Sequence, residues 1–334
     1  MSQFARETRR EAMSGASLQR PWLAGKRYYP FSEYLRRLFG AKVYKVSLDA
    51  GFTCPNRDGT KGFGGCAYCV NESFSPNAGR KLPIGNQMRR GMEFMRSRYG
   101  AEKFIAYFQA FTNTYADVET LRRCYDEALR FPDVVGLSIG TRPDCVPDEV
   151  LDLIEGYTQR YHVWVEYGLQ SRHNRTLDLV NRGHHYEDFV DGVERSRGRG
   201  INICAHVILG LPGESGDDMM ETGRAVSSLG VQGIKLHHLY VAKHTPMETL
   251  YRLGKIDVLS HDEYIRLACD FLERISPDIT IQRLVGDVTS DMLVAPKWPV
   301  SKEEVLRGIT EELVRRGTCQ GAKKEVPQAV RGSA

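Results

Sequence analysis

Apolar, β-branched segments alternate with amphipathic helical segments six times between residues 43 and 275, and this alternation limits the fold more than any other feature. The strand-like segments are 43–50 (VYKVSLDA), 103–110 (KFIAYFQA), 134–141, 162–169, 201–209 and 234–241. Helical segments follow at 85–99, 117–131, 147–160, 186–199, 217–229 and 260–275. Leu121, Cys124, Ala128 and Leu129 share one face of the second helix, and Val150, Leu151, Ile154 and Tyr157 one face of the third, which opens near Pro147. Ser260 and Glu263 fit a capping box ahead of Ile265, Ala268, Leu272 and Ile275. Repeated strand–helix units imply a parallel sheet with right-handed crossovers. Six are too few for a closed eight-fold barrel. The expected fold is therefore α/β, a partial (βα)6 TIM-type barrel at 41–285, with a basic N-terminal extension at 1–40 and a C-terminal helical extension and tail at 286–334. In such a barrel the chemistry belongs to the loops at the C-terminal ends of the strands.

Composition narrows the class further. No apolar run approaches the roughly 18 residues of a membrane span, so no membrane partner is expected. The net charge of the 334 residues is +4, yet residues 1–45 hold ten Lys or Arg against three Glu. A basic arm on a near-neutral body can dock on phosphate, or it can be a solvated tail. Eight cysteines without a paired spacing, and an N-terminus without an apolar signal core, point to a reducing cytoplasm rather than a disulfide framework.

Three of those cysteines fall within sixteen residues, directly after the first strand: Cys54-Pro-Asn-Arg-Asp-Gly-Thr-Lys-Gly-Phe-Gly-Gly-Cys66-Ala-Tyr-Cys69. Gly59, Gly62, Gly64 and Gly65 let this backbone wrap a bulky ligand. Thiolates are the ligands of iron–sulfur clusters. They also bind zinc in C-x2-C pairs, but zinc needs a fourth ligand, and no His lies between Val70 and Tyr161.

This loop, including the aromatic Tyr68 before the last Cys, resembles the cluster loop of the radical S-adenosylmethionine (SAM) superfamily. The superfamily's usual spacing is C-x3-C-x2-C; here it is C-x11-C-x2-C. The stretched first gap resembles the elongator-catalytic-subunit-like branch and its small bacterial YhcC-type subgroup. The resemblance implies a [4Fe–4S] cluster on Cys54, Cys66 and Cys69, whose open iron chelates SAM. Further segments occur in the family's order. Glu166-Tyr-Gly-Leu-Gln170-Ser171 resembles a SAM-contacting segment, and Gly210-Leu211-Pro212-Gly213-Glu214 one that lies against adenine. Thr141-Arg142-Pro143-Asp144 and Asn181-Arg182-Gly183-His184 resemble the elongator-type T-R-P-D and R-G-H segments. Where the superfamily usually carries a G-G-E-like segment, this chain has Gln109-Ala-Phe-Thr112-Asn113-Thr114. Gln109 and Asn113 could supply the same hydrogen bonds as the missing acid.

Strand alternation places Lys235 and His237 on one face of the sixth strand and His238 on the other. Lys235 and His237, with Arg142, Asp144 and Arg283, are candidates for catalysis or substrate contact, and Asp287 for closing the site. His184, His185 and His244 read as ordinary loop residues, and Cys145 as a loop thiol beside the site. Cys124, Cys204 and Cys269 fit core positions. No second cysteine cluster follows, so no auxiliary centre is expected. The resemblance further implies a tRNA substrate, modified at the C5 side chain of its wobble uridine, and an external one-electron donor of the flavodoxin or ferredoxin type. A DNA partner is not expected. About fifty residues follow the barrel, too few for the acetyltransferase domain of elongator-type enzymes, so acetyl-CoA chemistry is not expected either. A radical SAM enzyme on a small metabolite, or a non-catalytic zinc-stabilised RNA-binding module, are the alternatives.

Overall fold

The structure is a computed structural model that describes residues 26–73, 82–109, 111–286 and 288–324. The elements run α1 (Phe31–Phe39), β1 (Val43–Leu48), α2 (Ile84–Tyr99), β2 (Lys103–Phe108), α3 (Val118–Leu129), β3 (Val134–Thr141), α4 (Asp148–Tyr157) and β4 (His162–Gln170). They continue with α5 (Asn174–Leu179), α6 (Tyr186–Ser196), β5 (Asn202–Leu209), α7 (Gly216–Ser228), β6 (Gly233–His238) and β7 (Val241–Ala242). The remainder are α8 (Pro246–Arg252), α9 (His261–Arg274), β8 (Thr280–Arg283), β9 (Leu293–Ala295) and α10 (Lys302–Arg315).

Seven strands form one parallel sheet in the order β1-β2-β3-β4-β5-β6-β8, so each new unit adds at one edge. The sheet is the expected partial barrel with one strand more than the six units: the apolar stretch after α9 pairs with β6 as β8. Short β7 and β9 make a separate antiparallel ribbon. The helices cover the outer face. Val46, Leu48, Phe104, Phe108, Leu137, Ile139, Val163 and Val165 pack outwards against Met88, Leu121, Leu151 and Ile154 in the largest apolar cluster. Capping is local: the Asp117, Ser215, Ser260 and Ser301 side chains each accept from a backbone N–H three residues on.

The opposite face of each strand lines the interior in layers. The lowest layer is apolar, with Val43, Ile105, Trp164 and Cys204, and α1 plugs it with Phe31 and Leu35. The Phe31 and Trp164 rings meet edge-to-face at 5.3 Å. Backbone pairing of Pro30 with Ile281 ties the entry to α1 onto the β8 edge. The middle layer is polar: Lys45, Tyr107, Ser138, Glu166, His206 and Lys235. The upper layer holds Gly140 and Gly168, whose missing side chains leave room for a cavity beneath the cysteine loop.

Candidate active site

The cavity opens at the C-terminal ends of the strands. Its roof is the cysteine loop, with Cys54, Cys66, Cys69, Arg57 and Tyr68; its floor is the middle layer, with Tyr107, Glu166 and His206. Gln109, Arg142, Gln170, His237 and Arg283 also face it. The strand ends aim these side chains. A register shift between Gly168 and Gln170 puts Gln170 at φ 76°, a left-handed backbone that a non-glycine residue adopts only when its surroundings force it. That irregularity points Gln170 into the cavity.

The cysteine loop is a braced hairpin. Asp58 and Phe63 bridge across it, and Thr60 Oγ1 meets the Tyr115 hydroxyl at 2.8 Å. Asn56, wholly buried, donates to Asn181 O at 2.6 Å and towards Cys66 Sγ at 3.8 Å. It fits because Gly62 and Gly183 lack side chains: a Cβ at either would fall 2.4 or 2.6 Å from Asn56 Oδ1. Arg182 is buried, donates twice to Gly168 O at 2.7 and 3.2 Å, and places Nη1 3.4 Å from Cys66 Sγ. Arg142 donates to Arg182 O at 2.8 Å and Gly183 O at 2.7 Å, and pairs with Asp144, which Lys61 reaches from the hairpin at 2.6 Å. One clasp therefore joins the T-R-P-D segment, the R-G-H segment and the loop.

The donor set suits a cluster. Burial pushes the Cys66 thiol up, but the charge and hydrogen bond of Arg182 outweigh it and hold the thiol below its ordinary value. Burial and the Cys66 charge raise Cys69 to about 11, against the pull of Arg57. The pair thus favours one thiolate and resists a second until a cation joins it. The Tyr68 hydroxyl is buried beside the Cys66 thiol and lines the cavity, so it sits against whatever the thiols hold. The three loop thiols do not all lie within 4.8 Å of one another. Tetrahedral zinc would hold its thiolates roughly 3.8 Å apart, from Zn–S bonds near 2.3 Å. Among the described residues the one set of three donor atoms all within 4.8 Å of one another is Glu166, Cys204 and His206, not the loop thiols. Nor is that set a cation site, because two ammonium groups already hold its carboxylate.

Glu166 is the hub of the floor. Its carboxylate, without solvent exposure, accepts from Lys45 at 2.5 Å, Ser138 at 2.6 Å and His206 at 2.7 Å, and also from Lys235. Lys235 donates on to the Tyr107 hydroxyl at 2.8 Å, and Lys45 to Gln282 at 2.6 Å. Burial alone would raise the carboxyl; Lys235 and Lys45 instead hold it well below the usual range. Burial, with Lys45 and Arg283 nearby, lowers Lys235 to about 7, despite Glu166. Burial, opposed by the bond to Glu166, brings His206 to about 4.

The structure places several of the expected site residues against protein partners or away from the cavity wall. Glu166 is not a free acceptor for ribose or ammonium groups, since both oxygens are taken. Lys235 lies on the inward face with His237 but is committed to Glu166 and Tyr107, off the cavity wall. Asn113 turns its amide into the sheet, donating to Gly140 O at 2.9 Å. Ser171 donates to Glu214, and Asp144 faces the hairpin. Gly210, Leu211 and Pro212 are not on the cavity wall; Leu211 packs with Ala67, Val180 and Met247 beneath the cysteine loop, and His206 and Ile208 are the residues of that strand facing the cavity. His184 lies in a loop, as expected, but is buried there, with its ring nitrogens against Gly168 O and His185 O. Asp287 and residues 1–25 and 325–334 lie outside the described residues. Reading the sequence passed over Lys45, Tyr107, Ser138, Asn56 and Arg57. The first three occupy inward positions that strand alternation marks.

A family model described as "Radical SAM superfamily" matches residues 54–226, from Cys54 to α7. The chain belongs to the radical SAM superfamily. A second model, "Radical_SAM C-terminal domain", matches 231–315. The family's cofactors are a [4Fe–4S] cluster and SAM, and its members are enzymes. Bacillus subtilis YtqA is 47% identical over 297 residues, covering 89% of this chain and 92% of its own. Escherichia coli YhcC is 39% identical over 269 residues, 80% of this chain and 86% of its own. A Dehalococcoides mccartyi protein named tRNA uridine(34) acetyltransferase is 28% identical over 189 residues, 55% of this chain and 40% of its own. The solved structure of Methanocaldococcus infernus Elp3 superposes with a TM-score of 0.63 at 18% identity, covering 83% of this chain and 64% of that one, which is a likeness of fold. No helix among the described residues is long and apolar enough to cross a membrane.

Proposed function

We propose that this radical SAM enzyme acts on tRNA, at the C5 side chain of the wobble uridine. The observation that carries the reading is the Arg142 clasp. The two segments that resemble the elongator-type branch are built here into one unit against the cysteine loop. A relative named tRNA uridine(34) acetyltransferase matches over 55% of the chain and supports the same substrate class.

When bound, the cluster and SAM supply a 5′-deoxyadenosyl radical that removes a hydrogen atom from substrate. The chain's own residues do the rest. Cys54, Cys66 and Cys69 hold the cluster. Gln109 and Gln170 offer amides to SAM on the cavity wall, in the place of the family's missing acid. His237 and Arg283 face the substrate side, and the Glu166 hub holds the floor rigid beneath it. The catalytic unit is residues 41–285, flanked by a basic segment at 1–40 that meets phosphate and a C-terminal helical extension and tail at 286–334. A low-potential flavodoxin- or ferredoxin-type protein supplies the electron, in a reducing cytoplasm that suits eight free cysteines.

The test is anaerobic reconstitution with iron and sulfide, then dithionite, SAM and tRNA from a strain lacking this gene. The expected products are 5′-deoxyadenosine and a changed mass at the wobble nucleoside, both lost in the Cys54→Ala, Cys66→Ala, Cys69→Ala protein. Formation of 5′-deoxyadenosine with every tRNA nucleoside unchanged would refute the tRNA reading and leave the enzyme class standing.

A further inference from the structure

The clasp that joins the two branch-typical segments ends on a cysteine sulfur. We propose that Arg182 is a positioning residue that sets the reduction potential of the cluster, acting through a hydrogen bond to Cys66 Sγ. The inference rests on the assignment of the cluster to the three loop cysteines and stands whatever the substrate.

Arg182 cannot swing away from Cys66. Two of its donors are spent on Gly168 O at 2.7 and 3.2 Å, which leaves Nη1 aimed at the sulfur at 3.4 Å. Arg142 grips the backbone at this position and the next, at Arg182 O and Gly183 O. Asn56 adds a second donor to the same sulfur at 3.8 Å. Arg57 takes the other end of the C-x2-C pair, donating to Cys69 O at 2.5 Å with its charge beside that thiol.

Reduction adds one negative charge to the cluster and its thiolates. Donors and positive charges fixed around the sulfurs stabilise that added charge more than the oxidised state. The midpoint potential therefore rises, and a one-electron donor reduces the cluster more readily. Because the guanidinium is held by the protein, little of this benefit is lost to reorganisation. The eleven-residue stretch between Cys54 and Cys66 supplies both of these donors, Asn56 to the first of the two later cysteines and Arg57 to the second.

The experiment is an EPR-monitored redox titration of the reconstituted protein, its Arg182→Gln variant and its Arg182→Lys variant, without substrate, after iron and sulfide analysis. At equal iron content, Arg182→Gln should favour the reduced cluster at least tenfold less, a fall of about 59 mV for one electron. Arg182→Lys, which keeps the charge, should fall between. A Gln variant with full iron and the parent's midpoint overturns the proposal. If the Gln variant does not load iron, the parent alone decides. Electron–nuclear double resonance of the reduced cluster in protein labelled with 15N-arginine should show a guanidinium coupling, and its absence overturns the proposal.

Discussion

Glu166→Gln isolates what the buried floor contributes. The substitution keeps the side chain's shape and removes its charge. It strands two ammonium groups that now share one carboxylate, that of a fully buried residue. Removing one partner from a buried ion pair costs about 3–5 kcal/mol. Part of that cost can be relieved by titration. Lys235 sits at about 7 in the folded chain, well below an ordinary lysine, so it adds a penalty that is complete below pH 7 and fades as pH rises towards its unfolded value. Glu166, held low, has the opposite sign: its stabilisation is present above the ordinary carboxylate range and lost only as pH falls through its folded value. Between pH 6 and 9 the parent's Glu166 is thus ionised throughout. Without it Lys235 shifts lower still, and the added penalty falls on the acid side. The variant should lose about 3–5 kcal/mol at pH 6. At pH 9, where Lys235 is neutral in both folded proteins, the loss should shrink to about 1–3 kcal/mol, the cost of mismatched hydrogen bonds. Adding Lys235→Met to Glu166→Gln should recover at least about 1 kcal/mol at pH 6, since removing both partners is cheaper than removing one. Urea unfolding of the metal-free protein at both pH values, followed by fluorescence of the buried Trp164 two residues along β4, measures all three. An equal loss at pH 6 and 9, or a double variant no better than the single, refutes the reasoning.

Two further expectations concern the clasp. Gly183→Ala meets both a left-handed backbone (φ 67°) and the Asn56 amide 2.6 Å away, so it should weaken cluster retention, read as faster iron loss to a chelator, while the outer core and circular dichroism stay intact. Asp144 is held well below the carboxylate range, because Arg142 and Lys61 overcome its burial. Asp144→Asn should then destabilise the protein by about 3 kcal/mol above pH 5 and by progressively less as acid protonates the parent's own carboxyl, in paired urea titrations.

Much of the fold was legible because it is local. The period of two along each strand and the apolar stripes of the helices placed β3 at 134–141 with no error at either end and the other long elements within a few residues. The seventh strand was readable only as an apolar stretch; whether Thr280–Arg283 pairs with the sheet depends on where α9 delivers it. At the site, the cysteine loop and the position of Arg142 on the cavity wall could be read from sequence. The places of Asn113 and Leu211 could not, because each turns on a partner far along the chain: Gly140 O for one, the Ala67–Val180 cluster for the other.

By itself the sequence determined the order of strands and helices, the three thiols with their glycine-freed loop, and the face on which each strand residue lies, since these depend on neighbours within a few positions. Only the tertiary structure decided which charges meet. Glu166 draws Ser138, His206, Lys235 and Lys45 from positions 28, 40, 69 and 121 residues away, and Arg182 reaches Cys66 across 116. Nothing in a residue's own surroundings specifies such a pairing. It arises when the curved sheet brings inward positions of several strands round one enclosed space, where water is excluded and every buried charge must find its partner.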